Sequence, residues 1–402
     1  MPRRGVLVAI LGTLTAMSPL SIDLVVPGFP SMSAQLGVDR PSVQLTLTMF
    51  LIGLVVGQLV IGPLSDRLGR RPLLLGGLTG YAVSAAAGAL APSIEVLLGT
   101  RLLQGVAAAT AIVLARAIVG DSFPRPDVPR YMGRLSQVFS AAPVAAPVVG
   151  GVVLAIATWR GIFAVSVVIG LLLLAAVYWL VPESLPPQQR HAGSLMATFR
   201  AMAGLAIRRS FAGYVLTLGF CEAVLFAYIS GSSFVFQGIH GLSATQYSLI
   251  FSTNAMGMVI AGGVFARLSR RVRANSILAG AVVLVLLANT VQVVLLWANG
   301  ESVAVSWMTE FATVFGIGMT IPATMGIGQI IGARAGGAAA ALLGGAEYIF
   351  GAVVSPLTGL FGAGSSLPMA TIMFLCALAA LVSLLVMARP WRGAGEVLHL
   401  SA

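Results

Sequence analysis

Lysine is absent from this chain, and charge of either sign is scarce: only 9% of its 402 residues are charged. A soluble domain carries about 25% charged residues. The shortage excludes a soluble enzyme, a nucleic-acid-binding module and a disordered chain. Without Lys, no G-x-x-x-x-G-K-[ST] phosphate loop can be completed, so an ATP-driven machine of that type is excluded as well. Cysteine is limited to Cys221 and Cys376, which lie in separate apolar runs, and histidine to His191, His240 and His399, all in loops or the tail. Neither a disulfide framework nor a metal site can be assembled from such a set.

What the chain has instead is apolar sequence, 58% of its residues. A membrane helix needs about 20 apolar residues, and twelve such runs follow one another with no soluble insertion. The alternation of a membrane β-barrel is missing, so the predicted fold class is an all-α integral membrane protein. The first run, about 6–27, follows Arg3 and Arg4 but is too long for a signal-peptide core and contains Asp23, which marks it as a retained first helix. The net charge of +11 then describes topology. With the N-terminus inside, 19 of the 23 arginines fall on the cytoplasmic side, Arg40 and Arg160 fall outside, and Arg101 and Arg116 lie within the fourth helix. That asymmetry predicts both termini in the cytoplasm.

The chain divides in two. Its longest polar interval, 182–210, is basic and contains proline, as befits a cytoplasmic linker between a six-helix bundle at 1–181 and a second at 211–390, with a cytoplasmic tail at 391–402. An internal repeat supports the division: at an offset of 200, Gly57, Gly62, Arg67, Leu68, Arg70 and Arg71 recur as Gly257, Gly262, Arg267, Leu268, Arg270 and Arg271. Pro147-x-x-Gly150 recurs likewise as Pro356-x-x-Gly359. Two six-helix repeats are the architecture of transporters that rock around a central site.

The segment Gly62-Pro63-Leu64-Ser65-Asp66-Arg67-Leu68-Gly69-Arg70-Arg71 resembles the signature of the major facilitator superfamily between its second and third helices. The resemblance continues through Ser18–Pro27 around Asp23, Arg101-Leu102-Leu103-Gln104-Gly105, Ala146-Pro147-Val148-Val149-Gly150-Gly151, Trp159–Phe163 and Glu183–Pro187, and there it is similar to the bicyclomycin/chloramphenicol-resistance (Bcr/CflA) branch. It implies twelve transmembrane helices as two six-helix repeats around a central cavity, and proton-driven efflux of small amphipathic drugs. It further implies an inner gate built from Gly62, Asp66, Arg67, Gly69, Arg70, Arg71 and Asp121, with Asp66, Arg70 and Asp121 as a charge cluster. Pro143, Pro147, Gly150 and Gly151 would form the antiporter motif of helix five, where Ala146 replaces the Gly of many antiporters. Physically, Gly62 and Gly69 would allow close packing and a tight turn, while the arginines alone would also satisfy the positive-inside rule. The repeat copy carries Ala266 and Ser269, so the latch is expected on one side only.

An ionisable group in mid-bilayer costs at least about 2.5–3.5 kcal/mol, which makes each one a functional candidate. Asp23, Arg101, Glu222, Glu310 and Glu347 lie away from helix ends. Asp23 precedes Pro27 by four residues, roughly 6 Å of helix, and Arg101 follows Ile94 by seven, roughly 10 Å. Their depths match, so an Asp23–Arg101 pair is expected, either as a permanent ion pair or as a proton switch. In the family fold helices one, four, seven and ten line the cavity, and Asp23, Arg101, Glu222 and Glu310 place one charge on each. Glu222 and Glu310 have no Arg at their depth; they are candidate proton or cationic-substrate sites, or else locally hydrogen-bonded and passive. Glu347 suits structural hydrogen bonding.

The expected function is proton-coupled export by alternating access, from a bacterial cytoplasmic membrane, with no cofactor, catalytic site or metal. The expected partners are a small-molecule substrate, protons and membrane lipid, without nucleic acid, and the chain is expected to be a monomer. An exporter or importer of an endogenous metabolite or self-made antibiotic is the alternative; a receptor or enzyme fits poorly.

Overall fold

The computed structural model describes residues 4–190, 195–360 and 364–395. Among these, all regular structure is helical. In a bilayer only helices and closed barrels satisfy every backbone group internally, and the apolar runs take the first solution. Twelve helical spans are long and apolar enough to cross a membrane: α1 Arg4–Leu36, α2 Arg40–Leu68, α3 Arg70–Ala89, α4 Ile94–Ser122, α5 Val128–Ile156, α6 Trp159–Leu180, α7 Arg209–Ile239, α8 Ala244–Leu268, α9 Ala274–Asn299, α10 Val303–Ile331, α11 Ala333–Gly359 and α12 Leu367–Arg392. A further helix, Leu195–Ala206, precedes α7. His191 and His399 lie outside the described residues.

Short polar residues set the boundaries. The left-handed Gly37 (φ 65°) closes α1 by donating to the Ser33 carbonyl. Asp39 then caps α2, accepting a hydrogen bond from the Ser42 amide at 3.0 Å; the Ser42 hydroxyl first, and then this amide, hold its carboxyl below the usual range. Glu301, in the turn between α9 and α10, accepts hydrogen bonds from the Ser366 amide (2.7 Å) and the Ser365 and Ser366 hydroxyls at the start of α12. Large apolar side chains such as Leu103, Ile156, Leu172 and Trp297 stand exposed on the helices, as lipid-facing positions require.

The chain forms two compact units, Met1–Ser194 with Leu242–Ser252, and Leu195–Gly241 with Thr253–Ala402. In the first, α2 crosses α4 so closely that glycine is needed on both sides. A Cβ on Gly53 would meet the Leu102 carbonyl, one on Gly105 the Phe50 carbonyl, and one on Gly57 the Ala109 methyl at 2.5 Å. In the second, Tyr214 and Cys221 of α7, Leu278 and Val282 of α9, Ala323 and Ile327 of α10 and Ala380 and Leu384 of α12 form one core cluster.

The crossing makes a directional prediction. Gly105→Ala should destabilise the protein by about 1–3 kcal/mol through overpacking. Gly99→Ala, on the same helix with nothing within 4 Å of the added methyl, should leave thermal stability unchanged or raise it. Melting curves of the two detergent-solubilised variants, compared with the parent, check both.

Candidate functional site

The turn between α2 and α3 gathers charge. Gly69 joins the helices at φ 98°, and a Cβ there would lie 2.6 Å from Glu183 Oε2 and 2.7 Å from Arg190 Nη2. The space left by the missing side chain admits Glu183 and Arg190. The Arg70 guanidinium pairs with Asp66 Oδ1 at 2.6 Å and with Asp121 Oδ2, at the end of α4, at 3.0 Å, and it also donates to the Ser65 hydroxyl. Asp121 accepts a further hydrogen bond from Ser184 at 3.0 Å. Glu183, beyond the end of α6, accepts from the Arg70 amide at 3.0 Å and the Arg71 amide at 3.3 Å, satisfying two orphan donors at the start of α3. Arg71 donates to the Tyr178 carbonyl at 2.6 Å, while Arg67 is exposed and makes no ion pair. Gly62 is a correction: nothing lies within 4 Å of a Cβ there, so it serves no close packing. Glu183 was visible within a motif but carried no assigned role, because an acid in a basic linker has no marked periodicity.

The most deeply buried charged side chain described in the first unit is Arg101, 1% exposed. The expected Asp23–Arg101 ion pair is not formed. Arg101 donates through Nη1 to Gln104 Oε1 at 2.6 Å and through Nη2 to the Ser21 carbonyl at 3.1 Å. Its guanidinium lies 4.3 Å from the centre of the Phe50 ring and 5.9 Å from that of Phe163, contacts that stabilise a cation through the ring quadrupole. The reason lies in α1. Its regular helix ends at Asp23, and the Val25 amide tightens onto the Ile22 carbonyl at 3.2 Å. That shift leaves the Ser21 carbonyl without its usual i+4 donor and open to Arg101. The Ser21 hydroxyl in turn hydrogen-bonds the Tyr81 hydroxyl at 2.6 Å. One polar node thus ties α1, α2, α3, α4 and α6.

Asp23 is 3% exposed, and among the described residues its carboxyl makes no hydrogen bond or ion pair. It occupies the helix break just before the single turn Val26–Gly28 that contains Pro27. In α5, Pro143 and Pro147 are inside the helix, Ala146 is buried, and a Cβ on Gly150 would come within 2.5 Å of the Leu24 carbonyl of α1. Gly151 lies against Ser248, whose Oγ would stand 2.5 Å from an added Cβ.

In the second unit Glu222 of α7 is 4% exposed with Oε1 unpartnered, and the like charge acting on it belongs to Glu347 of α11. Glu310 of α10 is fully buried. Its neighbour is Gln292 of α9, and neither oxygen of Glu310 nor either polar atom of Gln292 has a hydrogen-bond partner. Gln104, Tyr81 and Gln292 carry no assigned role in the sequence; the signal that marks each is a polar residue inside an apolar run.

A twelve-helix chain with a charged α2–α3 turn and a buried arginine in α4 defines a class of membrane transporter. The family model of the Major Facilitator Superfamily matches residues 11–356, and the chain belongs to that superfamily. The chain is 35% identical over 376 residues, 93% of each chain, to an uncharacterised MFS-type transporter, YdgK, of Bacillus subtilis. It is 31% identical over 268 residues, 67% of each chain, to a bicyclomycin resistance protein homolog of Haemophilus influenzae. A chloramphenicol resistance protein of Pseudomonas aeruginosa is 33% identical over 65% of this chain and 61% of its own. These relatives set the chain beside the drug-efflux branch of the superfamily. In fold it is similar to a bacterial homolog of the human lysosomal transporter Spinster, with TM-score 0.73 at 15% identity, covering 98% of this chain and 97% of the other.

The Arg101 node predicts the effect of a single change. Gln104→Leu leaves Nη1 of a buried cation unpaired and should destabilise the protein by about 1–3 kcal/mol. Gln104→Glu keeps the acceptor and should melt at or above the parent temperature. A thermal-shift assay on both variants reads the difference.

Proposed function

We propose that the protein is a proton-coupled secondary transporter that exports small amphipathic drugs of the chloramphenicol and bicyclomycin kind by alternating access. The observation that carries proton coupling is Asp23, a buried carboxyl with no partner at the break in α1. In low dielectric a lone carboxylate is costly unless it is neutralised or paired. A proton entering from outside would neutralise it, and its departure would leave a charge able to attract the next substrate. Arg101, held by Gln104 and the Ser21 carbonyl, positions the helix that carries Asp23. Glu222, with Glu347 as its charged neighbour, is the proton or cationic-substrate site of the other six-helix half.

The Arg70–Asp66–Asp121 cluster with Glu183 acts as the inner gate, and Pro143, Pro147, Gly150 and Gly151 let α5 bend against α1. Both termini lie in the cytoplasm of a bacterial inner membrane, in keeping with the arginine distribution. The halves 1–181 and 211–390 are the moving bodies, 182–210 is their linker and 391–402 a tail. The protein works as a monomer, without cofactor or catalytic centre, on the proton gradient. The names of the relatives support drugs as substrate. The relative that matches 93% of the chain is named without a substrate, so a second reading, export or import of an endogenous metabolite or self-made antibiotic, stands beside the first.

Expression in an efflux-deficient bacterial host should raise resistance to chloramphenicol-type and bicyclic antibiotics, and a protonophore should abolish accelerated drug efflux from preloaded cells. Asp23→Asn should return resistance to the empty-vector level at undiminished membrane abundance. Normal export by Asp23→Asn that also withstands the protonophore would refute coupling through Asp23. Counterflow in proteoliposomes with labelled metabolites in place of drugs separates the second reading.

A further inference from the structure

Glu310 sits in a seam between two antiparallel helices. The three-residue turn Gly300–Ser302 joins α9 to α10, and they pack closely enough that a Cβ on Gly316 would stand 2.7 Å from Val285 Cγ2. Deeper in the seam Asn289 Nδ2 donates to Thr313 Oγ1 at 3.1 Å. That bond sets the register. Three residues toward the turn on each helix, about 4.5 Å at 1.5 Å per residue, α9 brings Gln292 and α10 brings Glu310.

Both side chains are fully buried, and none of their four polar atoms has a hydrogen-bond partner among the described residues. No titratable residue lies on α9. On the other helices packed against α10, Tyr214 of α7 is engaged by Asn275 at 2.6 Å, Cys221 neighbours Thr320, and Glu222 faces Glu347 of α11. Among the α8 residues against α10 are Thr253, Met258 and Ala261, with Gly257 under Phe311, and Arg267 is exposed. Gln292 is the polar group that acts on Glu310.

A carboxylate offers only acceptors, as does the carbonyl of a carboxamide. An ionised Glu310 would therefore leave the buried Gln292 oxygen without a donor. A protonated Glu310 completes the set. Its O–H donates to Gln292 Oε1, and Gln292 Nε2–H donates to the other carboxyl oxygen, closing a ring of two hydrogen bonds in which both groups have a partner.

We infer that Glu310 and Gln292 form an acid–amide pair that binds one proton within the α9–α10 seam. The pair is separate from Asp23 and needs no particular substrate, so it stands or falls apart from the drug-export reading. It gives Glu310 a role different from the cavity contact suggested by its position on helix ten.

The test is infrared difference spectroscopy of the full-length purified protein in lipid nanodiscs at neutral pH. Subtracting Glu310→Gln from the parent should reveal the C=O stretch of a protonated carboxyl. Gln292→Leu should shift that stretch to higher wavenumber, since the acid loses its acceptor. Glu310→Gln can rebuild the ring as an amide–amide pair and should keep the parent melting temperature, whereas Glu310→Ala should lower it by several degrees. Carboxylate bands in the difference spectrum would overturn the proposal. So would a carboxyl stretch unmoved by Gln292→Leu, or one that disappears on adding sodium chloride at constant pH, which would mark an alkali-cation site instead. Should Glu310→Gln not fold, the comparison of parent with Gln292→Leu decides on its own.

Discussion

A polar group inside a bilayer has no water to return to, and that single constraint arranges this protein. Twelve helices dispose of the backbone amides and carbonyls, leaving only a few side chains to be reconciled with an apolar surround. The Arg101 node shows how far the fold bends to do so. α1 gives up an ordinary helical hydrogen bond at Ser21, and the freed carbonyl becomes a ligand for a buried guanidinium. Nη1 of the cation is met by Gln104, and the faces of Phe50 and Phe163 lie against the guanidinium, while Nε has no hydrogen-bond partner among the described residues. No counter-charge takes part. The break that frees Ser21 is also the one that leaves Asp23 at the last position of regular helix, so the two charges share a cause without sharing a bond.

The twelve spans were legible in the sequence because they rest on hydrophobic length alone, a property each segment carries by itself. The cluster around Arg70 was legible because its glycine and charges lie close together in a short motif: Asp66 is four residues from Arg70 on one turn, and Gly69 supplies the positive φ between them. Depth along a helix was also recoverable from a count of residues. Azimuth was not. Asp23 and Arg101 lie at similar depth, but whether a long guanidinium reaches a carboxylate or a nearby carbonyl depends on the break in α1 after Asp23, where the Val25 amide turns to the Ile22 carbonyl. Glu310 and Gln292 belong to different helices, and their meeting depends on a register anchored by Asn289 and Thr313. Nothing in the local pattern around Glu310 announces Gln292.

The repeat makes the same point from another side. Arg67, Arg70 and Arg71 have counterparts in Arg267, Arg270 and Arg271, yet only the first set sits in a network of acids. With Ala266 where Asp66 stands in the first copy, the second turn has no acid at that position, and among the described residues Arg267, Arg270 and Arg271 form no ion pair. Charge in a loop follows topology and is retained cheaply; charge that forms a latch requires partners from a distant helix end. Here those partners come from Asp121 at the end of α4 and Glu183 beyond α6.

Partner availability therefore separates the buried acids more sharply than their helix numbers do. Asp23 stands at a break with its carboxyl paired to no cation or amide among the described residues, Glu222 shares its surroundings with another acid, and Glu310 faces a carboxamide across a closed seam. An acid beside an amide has a complete hydrogen-bonded state available while the helices stay packed. An acid at a helix break lacks such a state, and its energy changes whenever water or substrate reaches it. The second situation suits a group that must exchange protons in a transport cycle, and the first suits one that holds two helices together.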